Sequence, residues 1–305
     1  MKPLDRSLVQ YSESRDLWEK EIKLYPKGIL SRRRPTRLAS PCVGSSRGTI
    51  KGFSRHSLLR LRQTLLTSRP KVSLYSQLGV TLTLPWRVSV DSEEVFEKVT
   101  SDYKKVFNQF STSFRRRFSG SFAIFRHELQ VRRVPHCHIV LYLSDFDFKY
   151  VSRGRSSTVA DFRAIVWSMW LHALDGYGYD INLKAFHKRG VKVECLSDDL
   201  AIFRYLADHS SKNKISQLGY HGKQWGILNK RLIAPAVGDV VSFDDLRSKQ
   251  VFFRHVGRLV RFFVPKKCCV FGRKLSRPFG KRSVIFVDRR SSWKILAALH
   301  EKRIC

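Results

Sequence analysis

The feature that most constrains this chain is a basic turn between two segments with strand character, residues 121–130 and 135–143. His136 and His138 are separated by one residue at the start of the second segment, and an apolar run follows them directly. Side chains alternate between the two faces of a strand, so both imidazoles lie on the same face. The two segments therefore predict a hairpin that carries a pair of candidate metal ligands on one face.

The position of a three-residue turn decides which histidine faces the nearest carboxylate. A turn at residues 131–133 places Glu128 opposite His136, whereas a turn shifted by one residue places Glu128 opposite His138. In both registers the carboxylate shares the face of the imidazoles. A His-x-His pair can also be structural, since the chain contains 10 histidines.

The two faces of the predicted hairpin differ in composition. Gln130 lies on the same face as Glu128 and is a reserve third metal ligand. The other face is almost wholly apolar, so we expect helices to cover it. Its residues are Ala123, Phe125, Leu129, Cys137, Ile139, Leu141 and Leu143.

The charge of the chain indicates what it binds. Its 58 Lys and Arg residues against 25 Asp and Glu residues give a formal charge of +33, which predicts a polyanionic partner such as nucleic acid. The sequence contains no run of about 18 apolar residues that would predict a membrane span, and the amino terminus lacks the apolar part of a secretory signal. We therefore expect a cytoplasmic protein with no membrane partner and, from the spacing of its 6 cysteines, with reduced thiols.

Local patterns predict an α+β fold in which a central antiparallel sheet of about five strands has flanking helices. A strand at about 72–84 places Thr81 and Thr83 on one face. Apolar periodicity predicts helices at about 92–118 and 156–176. Residues 178–196 should be extended, with strands at 182–186 and 191–195 around a turn at Gly190.

The terminal segments are predicted to be basic extensions of a central domain at residues 71–235. Residues 1–70 form the amino-terminal arm, with short helices at about 14–24 and 57–66 and a loop at 31–52. Residues 236–305 form a carboxyl-terminal extension. It should contain a helix at about 243–263, a strand at 283–287 and a last helix from 291, and its aromatic residues are better explained as core than as a base-stacking surface.

A second polar face occurs on a helix predicted at residues 197–212. Ser197 can cap its amino terminus. Tyr205, His209 and Lys212 lie on one face of that helix, because residues three and four apart are neighbours. The helix could carry a reactive group, or it could simply be amphipathic.

These motifs together resemble the HUH endonucleases, the rolling-circle replication initiators of single-stranded DNA phages and plasmids. Residues 128–138 resemble the family pattern E-x-Q-x-R-G-x-P-H-x-H, with Arg133 where many relatives have glycine. The interleaved threonines of 80–84 resemble the first motif. The helix resembles the third motif, Y-x-x-x-Y-x-x-K, with His209 in place of the second tyrosine, and 222–226 resembles the G-R-x-W-G that follows it. The likeness covers about residues 80–229.

The resemblance implies the fold, the activity and the roles of the site residues. Glu128, His136 and His138 would hold a divalent metal, Mg²⁺ or Mn²⁺. Tyr205 would be the catalytic nucleophile, with Lys212 or the metal stabilising its phenolate. His209 departs from the family pattern and would carry a proton in place of the second tyrosine. The chain would nick single-stranded origin DNA, leaving a 5′-phosphotyrosine link and a 3′-hydroxyl primer, and then rejoin strands in a bacterial cytoplasm. A host helicase and polymerase are the implied partners. The sequence contains no phosphate-loop motif that would predict a helicase fused to the endonuclease.

Two alternatives remain open from the sequence. A relaxase or transposase of the same superfamily would use the same chemistry for a different task. A basic nucleic-acid-binding protein without enzymatic activity would contain His136, His138 and Tyr205 as ordinary residues. Cleavage of single-stranded DNA in the presence of manganese would distinguish the enzymatic hypotheses from a non-enzymatic binding protein.

Overall fold

The computed structural model describes residues 18–25, 28–35, 55–85, 92–130, 132–152, 159–182, 184–196, 201–202, 205–206, 223–235, 239–241, 251–252, 254–255, 258, 283–286 and 297. Contacts between Cα atoms divide the chain into two compact units. One unit comprises residues 49–235, and the other combines 1–48 with 236–305. No helix of the described residues is long and apolar enough to cross a membrane.

Helices and strands alternate irregularly along the chain. In chain order they are β1 (Trp18–Tyr25), β2 (Gly28–Pro35), α1 (Arg55–Thr67), β3 (Ser68–Pro70), β4 (Leu74–Thr83), α2 (Glu93–Arg117), β5 (Phe122–Leu129), β6 (Pro135–Ser144), α3 (Asp145–Ser152), α4 (Val159–Leu174), α5 (Lys184–Arg189), β7 (Val191–Cys195), β8 (Trp225–Leu228), β9 (Ile233–Pro235), β10 (Asp239–Val241) and β11 (Ser283–Phe286). A short 3₁₀ turn, Lys230–Leu232, precedes β9.

The unit of residues 49–235 is built on a five-stranded antiparallel sheet with the order β7-β4-β6-β5-β8. The prediction of an α+β fold with such a sheet is therefore confirmed. Strands β3 and β9 form a separate antiparallel pair in the same unit. The hairpin of β5 and β6 lies within the sheet, and β4 on its other side brings Thr81 opposite His138 and Thr83 opposite His136.

The turn between β5 and β6 adopts the first of the two predicted registers. The backbone N–H of Gln130 donates to the carbonyl oxygen of Val134 at 2.9 Å, and Glu128 pairs with His136. Arg133 in this turn has a φ of 60°, the left-handed conformation that glycine adopts most readily. The residue at the glycine position of the family pattern therefore has the backbone conformation that favours glycine.

Two helices cover the apolar face of the hairpin, as expected. Ser92 caps α2, and its hydroxyl accepts a hydrogen bond from the backbone N–H of Val95 at 3.2 Å. The predicted helix at 92–118 is thus confirmed, and Phe118 lies at its carboxyl-terminal end. In α4, Trp170 is fully buried in the shared core, and its indole N–H donates to the carbonyl oxygen of Thr83 at 3.0 Å.

One predicted strand of this unit is wrong. Residues 182–186 were expected to be extended, but α5 occupies Lys184–Arg189. Phe186 explains the difference, because its ring is buried 5.0 Å from the ring of Trp167 on α4, where a helical turn places it. Gly190 ends that turn, since a Cβ atom there would collide with the Phe186 ring. The strand predicted at 191–195 is confirmed as β7, the edge of the sheet.

The other unit contains a four-stranded antiparallel sheet with the order β10-β1-β2-β11. The helix expected at 14–24 is wrong for Trp18–Tyr25, and the first residues of the loop expected at 31–52 belong to β2. Pairing along its whole length with the adjacent strand β2, and with β10 more than 200 residues away, overrides the local helical pattern. The strand predicted at 283–287 is confirmed as β11.

Two further predictions for this unit concern helices and aromatic residues. The helices expected at 243–263 and from residue 291 fall mostly outside the described residues. Phe252 lies within the first of them and is fully buried, as expected for a core residue. The remaining aromatic residues of that segment lie outside the described ranges.

Candidate metal centre

Three side chains converge on one face of the β5–β6 hairpin. The Nε2 atoms of His136 and His138 are 2.9 Å apart. The Glu128 Oε2 atom lies 3.6 Å from Nε2 of His138 and 3.9 Å from Nε2 of His136. The strand register produces this convergence, because Glu128 pairs directly with His136 and period-two alternation places His138 on the same face. The group could bind a metal ion.

The spacing of the three donor atoms fits a single cation. Two donors bound at about 2.1 Å and about 90° apart would be separated by about 3.0 Å, close to the shortest of the three distances. Two imidazoles and one carboxylate on one side of a cation leave coordination positions open on the other side. The donor set therefore suits a site that also admits an external ligand, whereas a closed structural cage would need a fourth protein ligand.

Arg126 joins the metal group to a neighbouring helical turn. Its guanidinium is buried, with one nitrogen 3.0 Å from Oε1 of Glu128 and another donating to the carbonyl oxygen of Leu206 at 2.8 Å. Burial alone would raise the pKa of Glu128, but the hydrogen bond with His138 and the charge of Arg126 lower that pKa to about 2. The carboxylate is therefore ionised at neutral pH and can act as an anionic ligand.

Tyr205 lies beside the metal group. Its hydroxyl is 2.7 Å from Oγ1 of Thr81, which in turn lies 3.4 Å from Nδ1 of His138. The rings of Tyr205 and His138 meet edge to face, with their centroids 5.2 Å apart. The two nitrogens of His138 thus face different partners, since Nε2 points toward the metal group and Nδ1 toward the threonine that contacts the tyrosine.

The close approach of Tyr205 to the sheet depends on a glycine. A Cβ atom at Gly79 would lie 3.1 and 3.2 Å from two atoms of the Tyr205 ring, tighter than an ordinary contact. Gly79 therefore leaves space on β4 for the ring. Tyr142, on the strand of the histidines, is buried and stacks on Phe122 with the ring centroids 4.3 Å apart.

The environment of Tyr205 keeps its phenol protonated at neutral pH. Burial raises the pKa of Tyr205 above its ordinary value, while the hydrogen bond with Thr81 lowers it. The nearby carboxylates of Glu194 and Glu128 raise it further. Deprotonation would therefore require a base or an added positive charge near the phenol oxygen.

The other predicted site residues are Gln130, His209 and Lys212. The side-chain oxygen of Gln130, the reserve ligand, accepts a hydrogen bond from Arg132 at 2.7 Å. His209 and Lys212 lie outside the described residues, as does Tyr220, a further tyrosine beyond the helix predicted at 197–212.

Sequence reasoning missed two residues that shape this site. Arg126 lies two residues before Glu128, so period-two alternation could have placed it on the metal face, but its charge indicated only DNA contact. No local pattern in the sequence predicts the close approach of Gly79 to Tyr205, because the two residues are distant along the chain. Thr81 was placed on one strand face as part of a motif, and its contact with Tyr205 comes from the structure.

One sheet face therefore combines a carboxylate, two imidazoles and a tyrosine hydroxyl. Comparisons with profiles of known protein families, with curated proteins and with solved structures found no match to this chain.

Proposed function

We propose that this protein is a metal-dependent endonuclease of the HUH type that nicks single-stranded DNA and forms a covalent link through Tyr205. The observation that carries the proposal is the contact of the Tyr205 hydroxyl with Thr81, beside the Glu128, His136 and His138 group. A nucleophile and a candidate cation site thus lie side by side. The formal charge of +33 favours a polyanionic substrate.

Each side chain has a defined task in the proposed reaction. A divalent cation, Mg²⁺ or Mn²⁺, would act as a Lewis acid toward the scissile phosphate, and Glu128, His136 and His138 would hold it. The phenol oxygen of Tyr205 attacks phosphorus, a phosphorus–oxygen bond to tyrosine forms, and the bond to the 3′ oxygen breaks. The products are a 5′-phosphotyrosine and a 3′-hydroxyl, whose oxygen takes up a proton.

Thr81 supports the loss of the phenol proton. If His138 is bound through Nε2, its Nδ1 carries a hydrogen that can be donated to Oγ1 of Thr81. The Thr81 hydroxyl then donates its own hydrogen to Tyr205, which stabilises a phenolate. His209 as proton carrier and Lys212 as counter-charge complete the proposed site. The covalent link conserves the energy of the phosphodiester, so the same site can rejoin strands.

The proposal is tested with circular single-stranded phage DNA and with internally labelled oligonucleotides of random sequence. In Mn²⁺ the wild-type protein should linearise the circles and leave a labelled protein band on a denaturing gel. Chelator should abolish both products. His136→Ala or His138→Ala should do the same while leaving DNA binding largely intact, because the basic surface does not depend on the metal group.

Tyrosine variants then identify the nucleophile. Tyr205→Phe should bind DNA and lose the covalent adduct, whereas Tyr142→Phe, the matched control on the histidine strand, should keep it. An adduct that survives in Tyr205→Phe and disappears in Tyr220→Phe would show that the nucleophile is misassigned. Binding without cleavage under every condition would favour the non-enzymatic reading.

A further inference from the structure

A cleft of about 350 Å³ opens on the sheet face opposite the metal group. It lies between α2 and strands β5 and β8. Phe125 and His127 on β5 line it, and they alternate with Arg126 and Glu128, which face the metal group. The cleft is therefore separated from the candidate metal centre by the sheet itself.

Three cations surround this cleft. Lys104 and Arg115 are exposed on α2, and their separation of 11 residues is close to three helical turns, so they lie on one stripe of the helix. Lys223 approaches from the β8 side and is also exposed. Within the described part of the chain no carboxylate lines the cleft. This rim favours a ligand with at least one phosphate group.

The floor of the cleft is aromatic. Phe107 and Phe125 lie with their ring centroids 4.8 Å apart, and the ring of His127 meets Phe107 edge to face at 4.4 Å. A site that bound only phosphate would not require aromatic rings at its base. Aromatic rings beside cations are the usual means by which proteins hold a base together with its phosphate.

A glycine determines where Lys223 lies. A Cβ atom at Gly226 would be 2.6 Å from Cε of Lys223 and 2.7 Å from a ring carbon of Phe125. In the space that Gly226 leaves, the ammonium of Lys223 lies 5.8 Å from the Phe125 ring centroid. Gly226 thus places one rim cation directly over the aromatic floor.

We propose that this cleft is a second binding site for a nucleotide, with the phosphate held by Lys104 and Lys223 and the base resting on Phe107 and Phe125. The nucleotide could be free or could belong to a single strand that continues along α2 toward Arg115. The site uses neither the metal group nor Tyr205, so it goes beyond the proposed nicking activity. Absence of the nicking activity would not exclude this site, and absence of the site would not exclude the activity.

The test measures binding in chelator with the full-length Tyr205→Phe protein, so that no chemistry intervenes. Calorimetric titrations use dTMP in one arm and pentathymidylate in the other, at about 50 mM salt. Replacing both Lys104 and Lys223 by Glu should lower the affinity for the bound probe about tenfold or more, since charge-assisted contacts to phosphate are lost. Binding of both probes indicates a nucleotide site, and binding of pentathymidylate alone indicates a single strand as its source.

A matched control separates the cleft from the general basic surface. Lys105 and Arg116 are exposed neighbours on α2 that do not line the cleft, and replacing both by Glu changes the net charge equally. This control should keep most of the affinity. Equal losses in the two double variants, or no binding of either probe to the parent protein, would overturn the proposal.

The aromatic floor has its own test. Inorganic phosphate at the concentration of dTMP should fail to displace the bound nucleotide, because it cannot use Phe107 and Phe125. Equal competition by phosphate would show that the cleft holds only an anion. Gly226→Ala should weaken nucleotide binding by displacing both Lys223 and the Phe125 ring, and circular dichroism must show that each variant is folded.

Discussion

At the scale of single residues, Thr81 connects the two halves of the candidate site. Its hydroxyl contacts both the Tyr205 phenol, at 2.7 Å, and the nitrogen of His138 that faces away from Glu128. A threonine in this position can orient the imidazole and stabilise a phenolate with the same oxygen. In the proposed reaction Thr81 is therefore a positioning residue, because it contacts both the proposed nucleophile Tyr205 and the candidate metal ligand His138.

Thr81→Val should slow adduct formation while preserving the shape of the site. The lost hydrogen bond to a developing phenolate corresponds to roughly a tenfold to hundredfold lower rate. Because the Thr81 hydrogen bond lowers the pKa of Tyr205, its removal should also move the pH–rate profile to higher pH. Thr83→Val, which removes a hydroxyl from the same strand face, is the control. Identical profiles for the two variants would contradict this role for Thr81.

His127 makes the stability of the protein depend on pH. Its Nδ1 atom lies 2.8 Å from the Tyr103 hydroxyl in the core. Burial lowers the pKa of His127 from 6.5 to about 3, and the positive charges of His136, Lys223 and Lys104 add to the effect. As the pH falls, the imidazole of His127 is therefore protonated at a higher pH in the unfolded chain than in the folded protein. Stability is fully present above about pH 6.5 and is lost as the pH falls toward 3.

This linkage predicts a difference between wild type and His127→Gln in chelator. From about pH 7 to about pH 5.5 the wild-type protein should lose about 1 kcal/mol more of its free energy of unfolding than the variant loses. Urea denaturation at both pH values measures the two losses. The variant has a lower stability at every pH because it lacks the ring contacts, so only the change with pH is compared. Equal changes would mean that His127 does not stay neutral in the folded protein.

At the scale of elements, the β5–β6 turn balances strain against contacts. Arg133 holds a left-handed backbone conformation that costs a non-glycine residue about 1 kcal/mol. Its side chain donates to Glu93 at 2.8 Å and lies 4.3 Å above the Phe96 ring. These contacts tie the turn to the first turns of α2. They offset the strain that glycine would avoid at this position.

Two substitutions at Arg133 separate strain from contacts. Both Arg133→Ala and Arg133→Gly remove the contacts with α2, but only glycine relieves the backbone strain. The glycine variant should therefore be more stable than the alanine variant by about 1 kcal/mol in urea denaturation. The opposite order, which is normal for a residue with negative φ, would rule out the left-handed conformation.

At the scale of the whole molecule, the formal charge of +33 should dominate binding to DNA. Each phosphate contact releases a condensed counterion, so affinity for single-stranded DNA should fall steeply between about 50 and 200 mM salt. Fluorescence anisotropy with a labelled oligonucleotide measures the slope. His136→Ala should have the same slope as wild type, since the metal group contributes no phosphate-binding cation in chelator. An affinity independent of salt would refute backbone contacts as the main source of binding.

Local sequence determined the parts of this protein that depend on neighbouring residues. Period-two alternation placed Glu128 on the face of His136 and His138, and apolar periodicity predicted α2 almost to the residue. The choice between two hairpin registers required the turn, where hydrogen bonds among residues 130–134 select one. These features were accessible because the interactions that produce them join residues close together along the chain.

Tertiary structure alone decided the features that join distant segments. Part of the helix predicted at 14–24 became a strand that pairs with β10, more than 200 residues away, as well as with the adjacent β2, and Phe186 formed a helical turn because its ring is buried against α4. The contact of Tyr205 with Thr81 spans 124 residues. No local period encodes such a distance, because the free energy that selects it comes from packing and hydrogen bonds that exist only in the folded chain.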